Sequence, residues 1–234
     1  MDPPTPLIET RSLGRRLPGD AADGWLLSDV SFAVRAGDRV ALSGPSGSGK
    51  TLLLRAVALL DPIDQGEVLW LDEPVSRDAV PHYRAANVYL HQRPALAGQT
   101  AEAALRQPFS LGVHRQRAFD RRRIRGWLDR LGRNDALLDQ PVSELSGGER
   151  QIVALLRTVQ LDPAVLLLDE PTAALDPAAA EAVEQLVRAW FDEAPSERAM
   201  IWVSHDAAQG ERMADRLVRI ERGRIVQVEP KSTQ

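Results

Sequence analysis

One short run constrains this chain more than any other feature: Gly44-Pro45-Ser46-Gly47-Ser48-Gly49-Lys50-Thr51. It fits the pattern G-x-x-x-x-G-K-[ST], and its setting is the informative part. A short apolar strand at 40–43 precedes it, and an apolar, helix-favouring stretch at 51–60 comes after. Between a strand and a helix, glycines let the backbone bend so that consecutive N–H groups face phosphate oxygens. The helix start then adds its positive end. Lys50 supplies a compact charge for the β- and γ-phosphates, a role that the planar fork of arginine fills poorly. It also stands out by composition, because only Lys50 and Lys231 are lysine among 29 basic residues. Thr51 offers a hydroxyl to Mg²⁺. The competing reading, a Gly/Ser linker, does not account for the strand before the run or the helix after it.

A second chemical feature lies further on. Residues 165–168 are an uninterrupted apolar run ending in Asp169 and Glu170. A buried strand of this kind delivers its last residues to the carboxyl edge of a sheet, where open α/β sheets bind ligands. Asp169 is therefore expected to partner Mg²⁺, directly or through water, and Glu170 to polarise an attacking water. Solvated acids at a strand end are the bland alternative, and the upstream phosphate loop weighs against it.

The 234 residues are enough for one sizeable core. The formal net charge of −4 gives no broad field for nucleic acid. With no cysteine, disulfides and thiolate metal sites are excluded. No apolar run approaches the roughly 20 residues that a spanning helix needs, and the start of the chain does not read as a signal peptide. Strand patterns are expected at 30–34, 68–71, 88–90 and 200–204, with a closing hairpin at 217–220 and 225–228. Helical periodicity appears at 101–111, 115–131, 147–160 and 177–191. The order is a strand-rich start, an α/β core, an inserted helical block and a return to α/β.

Leu145-Ser146-Gly147-Gly148-Glu149 narrows the field. It places glycine N–H groups and a serine hydroxyl at a helix start, a second device suited to anions, although a plain helix cap would look similar. The pentapeptide resembles the signature of ABC (ATP-binding cassette) ATPases. Three further residues fall in that family's order: Gln92, which looks like the Q-loop glutamine, Ala174-Leu175-Asp176, which looks like the D-loop, and His205, which looks like the switch histidine. The resemblance spans about 7–228. It implies an ABC-type P-loop α/β fold with a mostly parallel core sheet, an N-terminal antiparallel β layer and a helical subdomain near 94–157, all within a single domain over 1–234.

The resemblance also implies ATP and Mg²⁺ as ligands and ATP hydrolysis as the activity. Glu170, His205 and Gln92 would be catalytic. Residues 44–51 and Asp176 would contact nucleotide, and Thr51, Asp169 and Gln92 the metal. Two copies would sandwich two ATP molecules head to tail, so that Ser146, Gly147 and Gly148 complete the partner's site. The expected partner is a separate transmembrane permease, with the chain peripheral on the cytoplasmic face of a bacterial membrane and no nucleic acid involved. The 29 residues after His205 leave no room for the regulatory C-terminal domain of some importer ATPases. The run from His91 to Thr100 is similar to that of a small bacterial group linked to metal, especially iron, export.

Several positions depart from the family pattern. The aromatic residue usually found under adenine aligns with Leu17, flanked by Arg15 and Arg16, with Trp25 as the alternative. Ile152 stands where arginine is common, and Ala173 where serine is common. Arg115, Arg117, Arg121, Arg122, Arg123 and Arg125 read either as a solvated face or as a contact for an acidic loop or anionic headgroups. Two rival readings come from other classes. A soluble ABC protein of DNA repair or translation would usually carry tandem cassettes, zinc insertions or long coiled coils, none of which is present. A nucleotide kinase would leave 145–149 and His205 unexplained.

Overall fold

The computed structural model describes residues 4–17 and 24–230. Two sheets form the frame. The first, order β2-β1-β4-β5, is antiparallel and built from β1 (Ile8–Arg16), β2 (Trp25–Val34), β4 (Gln65–Trp70) and β5 (Glu73–Pro74). The second has six strands in the order β10-β9-β3-β8-β7-β6: β3 (Arg39–Ser43), β6 (Asn87–Leu90), β7 (Val165–Asp169), β8 (Ala199–Val203), β9 (Arg216–Glu221) and β10 (Arg224–Pro230). All its pairings are parallel except the β9–β10 hairpin. The helices are α1 (Lys50–Val57), α2 (Val80–Ala86), α3 (Ala101–Arg106), α4 (Arg121–Arg130), α5 (Gly147–Val159), α6 (Pro177–Asp192) and α7 (Ala207–Met213).

The five residues of β7 are all buried, because the sheet is covered on both faces. Strand alternation sorts them between two cores. Leu166 and Leu168 pack with Trp202 of β8 and with residues of α3, α4, α5 and α6. Val165 and Leu167 pack with Val40 and Leu42 of β3, with α1 and with the inner face of the antiparallel sheet, through Leu13, Leu27 and Val30. The expected mixed sheet, antiparallel layer and helical block are thus all present.

Helix ends differ from the periodicity where local chemistry overrules it. The helix expected over 101–111 stops at Arg106, because Pro108 has no N–H to continue the ladder; a 3₁₀ turn takes over at Gln107–Ser110. The helix expected from 115 begins at Arg121, where Asp120 caps it by accepting a hydrogen bond from the Arg123 N–H at 3.0 Å. Two short helices escaped the sequence reading, α2 and α7. Each is only seven residues long, which is too short for a visible period.

Parallel pairing decides where function can sit. Leu42 is level with Val203, Asp169 with Val203, and Leu90 with Leu168. The carboxyl ends of β3, β6, β7 and β8 therefore emerge along one edge of the sheet, and every chemically suggestive segment except 145–149 hangs from that edge.

Candidate nucleotide site at the carboxyl edge of the parallel sheet

The phosphate loop runs from the end of β3 into α1. Gly44 has φ +147°, and a Cβ there would lie 2.1 Å from the Ile220 carbonyl oxygen, so only glycine fits. Gly49 stands just before α1 at φ +107°. Lys50 folds back over the loop, its Nζ donating to the carbonyls of Gly44 at 2.8 Å and Pro45 at 3.0 Å. Burial pushes its pKa down, against the carboxylates of Glu170 and Asp169, which hold it up. Pro45, Ser46 and Gly47 are not buried, and nothing lies within 4 Å of the position a Gly47 Cβ would take. The Ser48 hydroxyl is buried inside the loop with no partner among the described residues.

At the end of β7 the Asp169 carboxylate is fully buried, and its two oxygens have different partners. Oδ1 accepts from the Thr51 hydroxyl at 3.2 Å, and Oδ2 accepts from the Tyr89 phenol at 2.9 Å. Glu170 comes next with φ +49°, a left-handed conformation that a non-glycine residue adopts only at a cost. Its N–H is tied to the Val203 carbonyl at 3.1 Å. The carboxylate is bracketed from both sides: Gln92 Nε2 donates to Oε2 at 2.5 Å, and His205 Nε2 lies 2.5 Å from Oε1. Gln92 lies just past β6 and His205 just past β8. The three residues expected to be catalytic thus converge from three neighbouring strand ends.

The residues present fit a Mg²⁺–nucleotide. A bent loop with exposed glycine backbone, a lysine folded over it and an unpartnered buried hydroxyl makes a cradle for phosphate. Beside it, the Thr51–Asp169 hydroxyl–carboxylate pair is the oxygen donor set that a hard cation requires.

The 146–148 segment is elsewhere. Ser146 caps α5 in a capping box: its hydroxyl donates to Glu149 Oε2 at 2.7 Å and accepts from the Glu149 N–H at 3.2 Å. Ser146 and Gly147 are exposed, and no hydrogen bond joins 146–148 to 44–51 among the described residues. Gly148 instead packs on the Ala174 carbonyl and on Leu175, so that a Cβ there would lie 3.2 Å from that carbonyl oxygen. Asp176, expected to reach nucleotide, caps α6 by accepting from the Ala179 N–H at 2.9 Å.

The remaining expectations resolve unevenly. Ile152, in place of arginine, is fully buried among helical-block side chains. Ala173 is exposed. Trp25 is already engaged, its ring edge over Gly14 and the Arg16 guanidinium stacked 5.0 Å from its centre, whereas Leu17 is 45% exposed. Arg15 is committed to Asp61. Most of the 19–24 loop that was to fold Trp25 back lies outside the described residues. Half of the arginine cluster is paired within the chain. Arg121 pairs with Glu102, Arg123 with Asp162 and Arg125 with Asp135. Arg115 instead lines a cleft of about 670 Å³ between α2 and 111–115, with His82, Arg84 and His114. Sequence reasoning missed Tyr89, Thr172 and Gln209, whose partners are distant in sequence.

With this geometry in place, likeness to known proteins is decisive. The family described as "ABC transporter" matches residues 27–173, well over half of the chain. The chain is a member of the ABC transporter ATP-binding family. A relative in Escherichia coli K12, "Probable iron export ATP-binding protein FetA", is 36% identical over 202 residues, covering 86% of each chain. The sulfate/thiosulfate import ATP-binding protein CysA of Bordetella parapertussis is 38% identical over 225 residues. That match covers 94% of this chain but only 61% of CysA. Among solved structures, a dimeric ATP-binding cassette in a post-hydrolysis state with ADP and phosphate superposes with a TM-score of 0.84, at 22% identity, covering 97% of this chain and all of that one. A bacterial Atm1-family ABC exporter with ATP bound gives 0.81 at 24% identity, covering 97% of this chain and 39% of the exporter. This cassette binds and hydrolyses ATP as the motor of an ABC transporter, and no helix among the described residues is long and apolar enough to cross a membrane.

Proposed function

We propose that the cassette hydrolyses MgATP at the edge formed by β3, β6, β7 and β8, as one of two copies that power a separate transmembrane permease. The observation that carries this reading is the Glu170 carboxylate held between Gln92 and His205, one residue from the Thr51–Asp169 pair.

The phosphates lie along 44–51. Lys50 exchanges its carbonyl partners for β- and γ-oxygens, which are stronger acceptors for an ammonium. Thr51 and Asp169 would hold Mg²⁺, with the Gln92 amide oxygen as a further donor, and the ion would neutralise the charge that develops on the phosphates. Glu170 orients the attacking water and takes up its proton as the new O–P bond forms and the bond from phosphorus to the ADP oxygen breaks. His205 would turn from Glu170 to donate to a γ-oxygen. Leu17, the exposed apolar residue at the end of β1, is the adenine contact, because Trp25 is already packed. A Trp25→Ala variant with unchanged ATP affinity supports that choice, and a large loss of affinity returns the role to Trp25.

Ser146, Gly147 and Gly148 serve the partner copy's nucleotide, which agrees with the exposure of the turn and with the absence of any hydrogen bond to 44–51 among the described residues. The cleft with His82, Arg84, His114 and Arg115 is the surface for an acidic loop of the permease. Metal export, with iron first, is the cargo reading, and it rests on the likeness to FetA over most of both chains.

The test is steady-state ATPase activity of wild type beside Glu170→Gln. The variant is expected to bind ATP normally and to lose at least about a hundredfold in kcat, the usual share of a positioned general base. A variant as active as wild type removes Glu170 from the mechanism. Recovery of a multi-span membrane protein with the tagged cassette tests the transporter assignment.

A further inference from the structure

Behind the catalytic pair lies a buried polar junction that no phosphate or metal contact accounts for. Gln209, on α7 four residues after His205, is 5% exposed. Its amide is fully used. Oε1 accepts from Trp202 Nε1 at 3.3 Å and from the Thr172 hydroxyl at 3.3 Å. Nε2 donates to Thr172 Oγ1 at 3.0 Å and to Glu184 Oε1 at 2.9 Å. Two donors and two acceptor positions are all matched, and the indole N–H on one side and the carboxylate on the other allow only one amide orientation. Glu184, on α6, is also 5% exposed and takes two further hydrogen bonds from Arg212, at 3.1 and 3.0 Å. Burial pushes its pKa up, but the Arg212 and Gln209 hydrogen bonds outweigh that and hold it ionised.

The junction matters because of what its four elements carry. Thr172 is two residues past Glu170, in the turn closed by the hydrogen bond from the Ala173 N–H to the Glu170 carbonyl at 3.2 Å. Trp202 is on β8, three residues before His205. The β7–β8 ladder ends at Asp169 and Val203, and one more backbone bond, from the Glu170 N–H to the Val203 carbonyl at 3.1 Å, follows it. Past that point the left-handed Glu170 and the exposed His205 loop meet through their own side chains. Gln209 adds a buried tie behind that contact, joining the turn after Glu170 to the helix after His205.

We propose that Gln209 is a positioning residue for hydrolysis: through Thr172, Trp202 and Glu184 it locks the turn that follows Glu170 to the helix that follows His205, and so keeps the pair in register with the γ-phosphate. The inference rests on the roles given above to Glu170 and His205. It predicts no change in ATP affinity, since no hydrogen bond joins Gln209 to 44–51 among the described residues.

Four variants are compared with wild type for ATPase kinetics and thermal unfolding. Gln209→Leu keeps the shape and removes every hydrogen bond. The KM for MgATP is expected to stay within about twofold, while kcat falls by about tenfold to a hundredfold, the scale on which an ångström of misplacement acts. Gln209→Glu sets two carboxylates against each other and lowers kcat in the same way. Adding Glu184→Gln to it exchanges amide and carboxylate across the same contact and is expected to return kcat to within about threefold of wild type. A folded Gln209→Leu variant with kcat within about twofold of wild type overturns the proposal. So does an exchange variant no more active than Gln209→Glu alone, which also decides the matter if Gln209→Leu does not fold. Glu170→Gln, run alongside, separates the two ideas. If it is inactive while Gln209→Leu is fully active, the lock alone is refuted; if it is active, the catalytic assignment beneath the lock is refuted.

Discussion

At the scale of single residues, the site is a set of carboxylates aimed by their neighbours. Asp169 can give one oxygen to the Thr51 side because Tyr89 occupies the other. Tyr89→Phe removes that hydroxyl without changing the ring. It is expected to raise the Mg²⁺ concentration needed for half-maximal ATPase activity by about ten- to a hundredfold, the cost of one hydrogen bond to a charged group, with nucleotide binding in EDTA unchanged. Titration of activity with Mg²⁺ checks this. Lys50, Thr51, Asp169 and Glu170 were all legible from local pattern, because each closes a recognisable backbone device: a glycine loop or a buried strand. Tyr89 and Gln209 were not. Tyr89 is 80 residues from Asp169, and Gln209 is 37 from Thr172. Nothing in the flanking sequence of either reveals such a partner.

At the scale of elements, burial on both faces makes β7, like β8, costly to disturb. Leu167 is fully buried between β3, α1 and the antiparallel sheet. Leu167→Ala is expected to cost about 2–5 kcal/mol in urea unfolding. A second element-level link joins β1 to α1, where Asp61 receives both Arg15 and Arg55. The Arg55 hydrogen bond, opposed by burial and aided by Arg15, holds the Asp61 carboxyl below its ordinary value of 3.8. The folded pKa is the lower one, so the stabilisation is complete above that ordinary value and disappears as pH falls through the folded value. Asp61→Asn should therefore be less stable than wild type near neutrality, and the difference should shrink on acidification. Unfolding curves between about pH 3 and 6 track it. Of the elements, the strongly patterned helices and the strands of the parallel sheet were readable, whereas β1 was not and β2 was read only over 30–34. The end of α3 and the start of α4 were set by Pro108 and Asp120, single residues that outweigh the hydrophobic period around them.

At the scale of the whole molecule, the proposed dimer would leave each copy of the cassette with half of two sites. Its signature turn is exposed and packs, through Gly148, on the 174–175 segment that leaves Glu170. A Cβ at Gly147 would meet only the Ala174 Cβ, at 4.0 Å, so a side chain there has room in one copy. Gly147→Asp is accordingly expected to fold and to bind ATP, yet to place a carboxylate where the partner's γ-phosphate would lie. In a Glu170→Gln background, MgATP should shift the cassette to a dimer by size-exclusion chromatography with light scattering. Adding Gly147→Asp should abolish that shift. A dimer that forms regardless would place the signature outside the interface.

The order and spacing of 44–51, Gln92, 145–149, 169–170, 174–176 and His205 carried the fold and the chemistry before any coordinates. Glycine conformations, strand alternation and helix caps are local properties, written in adjacent residues. Which side chains meet was decided only by the register of the parallel sheet. That register brings Gln92, Glu170 and His205 to one point from β6, β7 and β8, gives Tyr89 to Asp169 and, with α6 and α7 packed behind it, gathers Thr172, Glu184 and Trp202 around Gln209. Such contacts depend on strands and helices drawn from distant parts of the chain and pressed together by apolar burial, and no single short stretch of sequence contains both halves of them.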